Sequence, residues 1–497
     1  RAALALARAH LGDKPVVAVI YTHSHADHFA GVKGVISAED AASGKVRVVA
    51  PDGFLGHALS ENVIAGPAML VRAGYQFGLR LAQDETGSIG SGIGLAVSNG
   101  AMSLIAPNDL IKATGDWRVI DGVRFEFQMT PESEAPAEMN FYIPEFRALC
   151  LAENANATMH NVLTPRGALV RDSKRWADYL TQSLQLYGGK ADLMVTSHAW
   201  PRFGADRVTD FIGKHRDAYK YLHDQTVRLM NKGMTGVEIA DTIALPPSLA
   251  GEWYNRGYYG TMRHNSRAVY QRYMGWYDGN PAHLNPLPEE KSAPLYVEAM
   301  GGAKKLKKRA QRAIDAGDYR WAAELLNIAV FADPDDAAAR AMLATAHEQL
   351  GYQSESSLWR NMYLSAALDL REGTGERSAE SRSADFIIAT PTSMLFDLLA
   401  VRLAAERTPA EELRINFDFP DRKETIAVSI RNGVLVHEKG VGREPPAATV
   451  TMPRAAFLGA IFLGADMKPQ IAGDEKAWTT FTTLFESPPA GFNIVTP

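Results

Sequence analysis

Thr22-His-Ser-His-Ala-Asp-His28 is the stretch on which the reading of this chain turns. It follows the apolar run Val16-Val-Ala-Val-Ile-Tyr21, which reads as a buried strand, and it leads into small residues suited to a helix start. A loop leaving a strand end can present three imidazoles and a carboxylate together. His23 and His25 can reach one metal ion while Asp27 and His28 turn towards a second. Neutral imidazole and carboxylate are the donor set of zinc or a similar borderline cation. A lone histidine is most often a satisfied structural residue; three at this spacing, beside an aspartate, favour a metal site.

Three segments downstream offer further donors. Glu134 lies in Thr130-Pro-Glu-Ser-Glu-Ala-Pro-Ala-Glu138, Glu153 in Cys150-Leu-Ala-Glu-Asn154, and His198 in Val195-Thr-Ser-His-Ala-Trp-Pro-Arg202. The pattern HxHxDH after a strand resembles the metallo-β-lactamase superfamily. The order of these segments is similar to one branch of it, the zinc-dependent alkylsulfatases, and the likeness covers nearly the whole chain. Other branches more often have His or Asp where this chain has Glu134 and Glu153.

The resemblance implies an α/β fold, the metallo-β-lactamase αββα sandwich, holding two Zn²⁺ per chain. We assign His23, His25 and Glu134 to one ion and Asp27, His28 and His198 to the other; the resemblance makes Glu153 the bridge. Two zinc ions against three carboxylates and one hydroxide leave the cluster neutral, and water held there loses a proton near neutral pH. Asp27 can also serve as a base beside the metals, and the sequence leaves both roles open.

Asn161-Val-Leu-Thr-Pro-Arg-Gly-Ala-Leu-Val-Arg171 follows Glu153 closely. Guanidinium forks suit the oxygens of a sulfate ester, and Asn and Thr add neutral hydrogen bonds. The segment resembles the family's sulfate-binding stretch, which points to Asn161, Thr164, Arg166 and Arg171. The plainer reading pairs one arginine with Asp172 or Asp178. His264, in an aromatic, Arg-containing neighbourhood, is expected as a catalytic acid or sulfate contact; a buried, hydrogen-bonded role fits it equally. Gly87-Ser-Ile-Gly-Ser-Gly-Ile-Gly94 lacks the strand-turn-helix setting and acidic partner of a dinucleotide site, so we expect a flexible loop near the active-site mouth. Met69, Tyr75 and Phe77 are candidates to line an alkyl channel, with ordinary core packing the stronger expectation.

At 497 residues the chain exceeds what one core usually organises. Residues 1–240 mix short strands with helices, as a catalytic domain of this kind requires. Strands are expected over residues 16–21, 46–50, 124–129, 141–143, 148–152 and 193–196, and a helix over 210–232. The prolines of Leu245-Pro-Pro247 mark a boundary. Residues 241–378 are read as the next domain, which opens on an aromatic segment and turns Ala/Leu-rich with helical spacing from Leu295 to Leu370. Asp315-Ala-Gly-Asp-Tyr-Arg-Trp-Ala-Ala323 resembles the helix pairs of tetratricopeptide repeats. The resemblance to alkylsulfatases implies a helical dimerisation domain here, and so a homodimer. Lys304-Lys-Leu-Lys-Lys-Arg309 reads as a solvated helix face. Residues 371–383 are polar and read as a linker. A helix over 392–406 and strands over 413–419, 425–430 and 434–437 follow, with Asn432-Gly433 as a hairpin turn. Residues 384–497 resemble a sterol-carrier-protein-like α+β domain, which implies an apolar cavity; a packing module is the alternative.

Net charge of −5 gives no reason to expect nucleic acid as a partner, and no apolar run reaches the length of a membrane span. The single Cys150 excludes an internal disulfide and reads as a buried, inert thiol. Only one helix-like segment and one strand precede His23, so we expect the chain to be N-terminally incomplete for this fold. The resemblance implies a periplasmic or secreted location. The expected activity is hydrolysis of alkyl sulfate esters, such as dodecyl sulfate, to alcohol and inorganic sulfate. Alternatives are hydrolysis of a phosphodiester, thioester or lactone at the same metals, and a lipid carrier with a vestigial site.

Overall fold

The structure, a computed structural model, describes residues 1–98, 100–375, 384–462, 464–489 and 491–497. Three short strands, β1 (Ala18–Ile20), β2 (Arg47–Pro51) and β3 (Asp109–Ile111), form one parallel sheet in that order. Six more, β4 (Trp117–Ile120), β5 (Val123–Met129), β6 (Met139–Ile143), β7 (Ala148–Cys150), β8 (Leu193–Val195) and β9 (Arg202–Phe203), make the second. Each pairs with its sequence neighbour, antiparallel except for β7 with β8.

Alternation along β2 explains the layering. Val48 and Ala50 are buried with Phe29, Phe54 and Leu59 on the helical side, whereas Val49 meets Ile111, Phe127 and Met139 between the sheets. Successive side chains of a strand point to opposite faces, so one apolar run serves two cores. On the far side, helices Ser173–Tyr187 and Ala205–Met230 bury Trp176, Leu180, Phe211 and Tyr219 against Leu149 and Met194. Each such side chain taken fully from water contributes about 1.5–3 kcal/mol. The result is the expected αββα sandwich. Tyr254, Ala268 and Val269, beyond the boundary expected at residue 240, belong to this same core.

Five helices follow: Glu289–Ala299, Ala303–Asp315, Tyr319–Ala332, Ala337–Tyr352 and Ser357–Glu372. Asp318, Asp336 and Ser356 cap three of them by accepting from backbone N–H groups of the first turn, which is why the chain restarts there. Leu306, Ala310 and Ala313 face inward, leaving Lys304, Lys305, Lys308 and Arg309 in solvent as expected. The linker expected over 371–383 lies outside the described residues from residue 376 onward.

One expectation changes at the interface between this bundle and the sandwich, and the core packing expected for Tyr75 holds. Buried Arg360 donates to the Gly87 carbonyl at 2.9 Å, and Asn361 to the Gly90 carbonyl at 3.2 Å. Gly92 has φ 80°, and a Cβ there would come within 2.3 Å of the Tyr258 carbonyl oxygen. The glycines therefore serve close backbone approach, and the loop is fastened, not free. Tyr75 is turned from any channel by its hydroxyl, which donates to Asp369 at 2.5 Å; Arg80 joins the same carboxylate at 2.5 Å.

The last domain is a five-stranded sheet: β10 (Leu413–Phe419), β11 (Glu424–Arg431), β12 (Val434–Lys439), β13 (Ala448–Thr451) and β14 (Gln470–Gly473), ordered β12-β11-β10-β13-β14. Asn432 (φ 53°) and Gly433 (φ 74°) make the two-residue turn that sets the β11–β12 register. Phe396, Phe417, Phe419, Phe457 and Phe481 fill its inner face. The helix expected over 392–406 stops at Ala400, because Ala404 N–H leaves the helical path to bond the Leu484 carbonyl at 2.9 Å. Phe386 and Leu398 join the Phe29 cluster, and Lys33 meets Asp385 at 2.6 Å, so this domain rests on the helical side of the first sheet.

Cys150 sits half-buried in β7, where burial pushes its thiol up to about 11. The neutral thiol should resist a thiol-exchange dye at pH near 8, and one equivalent should react only after unfolding; fast reaction of native protein would contradict this. Asp369→Ala should destabilise the bundle–sandwich contact by roughly 2 kcal/mol or more, since it strips the partner from Arg80 and Tyr75. A denaturant midpoint equal to that of the wild type would contradict it.

Candidate metal centre

The sandwich brings four loops to one end. The first leaves β1 and carries His23 and His25 before a helical turn, Ala26–His28. It is stitched to the other sheet: Met139 N–H donates to the Thr22 carbonyl at 2.9 Å, and His23 forms an isolated bridge with Glu138. The second loop, between β5 and β6, carries Glu134; the third, after β7, carries Glu153; the fourth, after β8, carries His198. Ala152 (φ 46°) and His198 (φ 59°) are both left-handed, at a cost of about 1–2 kcal/mol for each residue with a Cβ. Ser197 N–H, bonded to the Ala152 carbonyl at 2.9 Å, ties the two strained turns together.

Donor atoms converge in two groups, His23, His25, Glu134 and Glu153 in one and Asp27, His28 and His198 in the other, each within 4.8 Å. Each of the two sets of three expected from the sequence falls within one group, and Glu153, expected as a bridge, is grouped with the first. Glu153 touches both: one oxygen lies 3.3 Å from His23 Nε2 and 3.0 Å from His28 Nε2, the other 3.4 Å from His198 Nε2. Glu134 lies 3.4 Å from His23 Nε2 and 2.8 Å from His25 Nδ1, and Asp27 reaches His28 and His198 at 3.2 and 3.4 Å.

The chemistry of these atoms fits a cation. His23 Nε2 and Glu134 Oε2 are fully buried and stand 3.4 Å apart, with His25 Nδ1 2.8 Å from the same Glu134 oxygen and a Glu153 oxygen 3.3 Å from His23 Nε2. Burial, with His28 nearby, lowers His23 to about 4, so its ring is neutral and offers a lone pair. Burial alone would raise the Glu134 carboxyl, yet Arg171 and His25 hold it below the usual carboxylate range. Burial favours the neutral His28 ring, but Glu153 and Asp27 raise it well above its ordinary value. Lone pairs of a neutral imidazole and a carboxylate repel unless something positive stands between them, and a metal ion answers that need.

Around the donors lies a second set of contacts, part of which the sequence did not disclose. Arg171 is buried and its guanidinium meets Glu134 at 2.7 Å, His160 at 2.7 Å and the Asn161 carbonyl at 2.6 Å. The alternative pairing with Asp172 or Asp178 does not form: Asp172 caps the helix Ser173–Tyr187, and Asp178 pairs with Lys174 at 2.7 Å. His160 stands 2.9 Å from Glu153. Glu138 accepts from the Glu134, Ala135 and Glu153 backbone N–H groups at 3.0, 3.2 and 3.3 Å, fixing both ligand-bearing segments. Neither His160 nor Glu138 was singled out beforehand, although Glu138 closes the quoted Thr130–Glu138 segment and His160 follows Glu153 by seven positions.

The Asn161 amide nitrogen is buried without a partner, and Thr164 turns back to the Gly167 carbonyl at 3.2 Å. Arg166 donates to the Gly167 carbonyl at 3.0 Å and lies 3.5 Å from both Glu61 and the Met69 sulfur. His264 lies apart from both donor groups. It bonds the Leu163 backbone, stands edge-on to Trp359, and is lowered by burial to about 4, which keeps it neutral and fits the buried, hydrogen-bonded role. A cleft of about 270 Å³ opens onto the centre, with His25, Glu61 and Arg171 among its polar lining and Pro136, Leu169 and Val170 among its apolar lining.

Residues 1–198 match the metallo-beta-lactamase superfamily, 235–373 the alkyl sulfatase dimerisation domain, and 380–497 the alkyl sulfatase C-terminal domain. The chain is 45% identical over its full length to an (R)-specific secondary-alkylsulfatase of Pseudomonas sp, covering 76% of that protein. The chain belongs to the alkylsulfatase family. A linear primary-alkylsulfatase of Pseudomonas sp is 43% identical, again over the full chain and 75% of that protein. Among solved structures, the stereoselective inverting sec-alkylsulfatase Pisa1 from Pseudomonas sp. superposes with TM-score 0.97 at 44% identity, covering 100% of this chain and 80% of that one.

Removing Arg171 takes away the charge that holds Glu134 low, so in Arg171→Met the carboxyl should protonate at higher pH and compete with metal sooner. In an acid titration, metal release should begin about one pH unit above the wild-type value. A superimposable release curve would show that Arg171 does not set the basicity of Glu134.

Proposed function

We propose that this protein hydrolyses alkyl sulfate esters to alcohol and inorganic sulfate at a pair of zinc ions. The observation that carries the reading is Glu153, whose oxygens lie 3.3 Å from His23 in one donor group and 3.0 and 3.4 Å from His28 and His198 in the other, with His25 lining a cleft of polar and apolar walls. His23, His25 and Glu134 would hold one ion and Asp27, His28 and His198 the other, with Glu153 common to both. Such a pair supplies positive charge for the ester oxygens and lowers the pKa of water towards 7.

The chain's own groups do the rest. The unpartnered Asn161 amide and the Arg166 guanidinium are the donors for sulfate oxygens, and Pro136, Leu169 and Val170 receive the first carbons of the chain. Arg171, held by Glu134, acts chiefly on that ligand. Relatives named for primary and for secondary alkyl sulfates resemble the chain to nearly the same degree, so the proposal extends to alkyl sulfates as a class. We place the protein in the periplasm or outside the cell, as a homodimer joined through the helical domain.

Sulfate release from dodecyl sulfate tests this. Release abolished by a chelator and restored by zinc is the expected result. A folded, zinc-loaded protein that releases no sulfate from primary or secondary alkyl sulfates, yet cleaves a phosphodiester, would overturn it.

A further inference from the structure

Between helix Phe54–Leu59 and helix Gly66–Gln76 the chain makes one π-helical turn, Ser60–Ile64. A π-turn inserts an extra residue into a helical path and is found most often where a side chain has to be re-aimed. Here the turn carries Glu61, whose nearly buried carboxylate lines the cleft beside the candidate metal centre. One of its oxygens lies 3.7 Å from His25 Nε2 and 3.5 Å from Arg166 Nη2. Both contacts are loose. His25 Nε2 has no hydrogen-bond partner.

The neighbouring charges are held more tightly. Arg171 is bound to Glu134 at 2.7 Å, and Arg272 to Asp172 at 3.1 Å and to the Val170 carbonyl at 2.8 Å. Glu132 is bound to Arg175 at 2.6 Å. Arg166, which donates to the Gly167 carbonyl at 3.0 Å and among the described residues has no carboxylate closer than Glu61 at 3.5 Å, is the cation beside Glu61 that an incoming anion can recruit, and Glu61 is the anion left beside it. One negative charge on a ligand head can replace Glu61 as the partner of Arg166. A second would add direct repulsion from the Glu61 carboxylate, which a monoanionic head avoids by taking over its arginine.

We propose that Glu61 is a charge filter: it admits monoanionic heads such as a sulfate ester or sulfonate and disfavours dianionic heads such as a phosphate monoester or phosphonate. The filter rests on the alkyl sulfate reading above and names what that site rejects. It acts through repulsion placed against the wrong ligand, a general route to specificity. A unit charge a few ångströms away in a part-buried cleft is worth at least about tenfold in relative affinity.

The test compares a decyl sulfonate with a decyl phosphonate, at a pH where the phosphonate is doubly ionised, so that the alkyl contribution cancels. Inhibition of dodecyl sulfate hydrolysis and direct calorimetric binding are measured on zinc-loaded wild type, Glu61→Gln and Glu61→Asp. Glu61→Gln should move the affinity ratio towards the phosphonate by about tenfold or more. Glu61→Asp, which keeps the charge, should hold the wild-type ratio within about threefold. Glu61→Ala is the second neutral variant should glutamine disturb the π-turn. An unchanged ratio in the neutral variants, with both ligands bound and sulfate still released, would overturn the filter alone. Wild type that binds neither ligand and releases no sulfate would remove the alkyl sulfate reading together with the filter.

Discussion

His23 Nε2 and Glu134 Oε2 are buried and 3.4 Å apart, with His25 Nδ1 2.8 Å from the same oxygen, and much of the molecule can be understood from that crowding of donor atoms. A buried polar atom left unmatched costs about 1–3 kcal/mol, more when it is charged. Left-handed backbone at Ala152 and His198 adds to the cost on the neighbouring loops. Such an arrangement persists because the surroundings determine it, and a cation would offset the repulsion. Strained turns and converging donor atoms gather at the same end of the sandwich.

The fold supplies the determination. β1 and β6 belong to different sheets, yet the Thr22–Met139 hydrogen bond and the His23–Glu138 bridge join the histidine loop to the segment carrying Glu134. Glu138 reaches the backbone of both glutamate segments, and Arg171 and His160 hold the two carboxylates from the other side. The helical bundle contributes from further away: Arg360 and Asn361 fasten the glycine-rich loop, and Tyr75 and Arg80 meet Asp369.

What was legible in the sequence was local or periodic. The strand before His23, the first three strands of the last domain, the Asn432-Gly433 turn and the solvated lysine face all follow from spacing along the chain, whereas β13 and β14 were not expected. The spacing of one tight motif pointed to four candidate donors and a family likeness to three more, and the structure brings all seven to one end of the sandwich. The remainder depends on long-range partners that no local pattern encodes. Arg171 turned to Glu134 and not to Asp172 or Asp178, and Tyr75 turned to an aspartate nearly three hundred residues away. Residues 401–404 left their helix to pair with residues 484–485. Glu61 had no motif at all; a π-turn delivers it to the cleft.

Anomalous X-ray diffraction at the zinc edge, on crystals of the zinc-loaded protein, bears most directly on the shared-carboxylate centre. The account predicts two peaks, one among His23, His25 and Glu134 and one among Asp27, His28 and His198, with Glu153 between them. A single peak, or two peaks with Glu153 bound to only one, would contradict it.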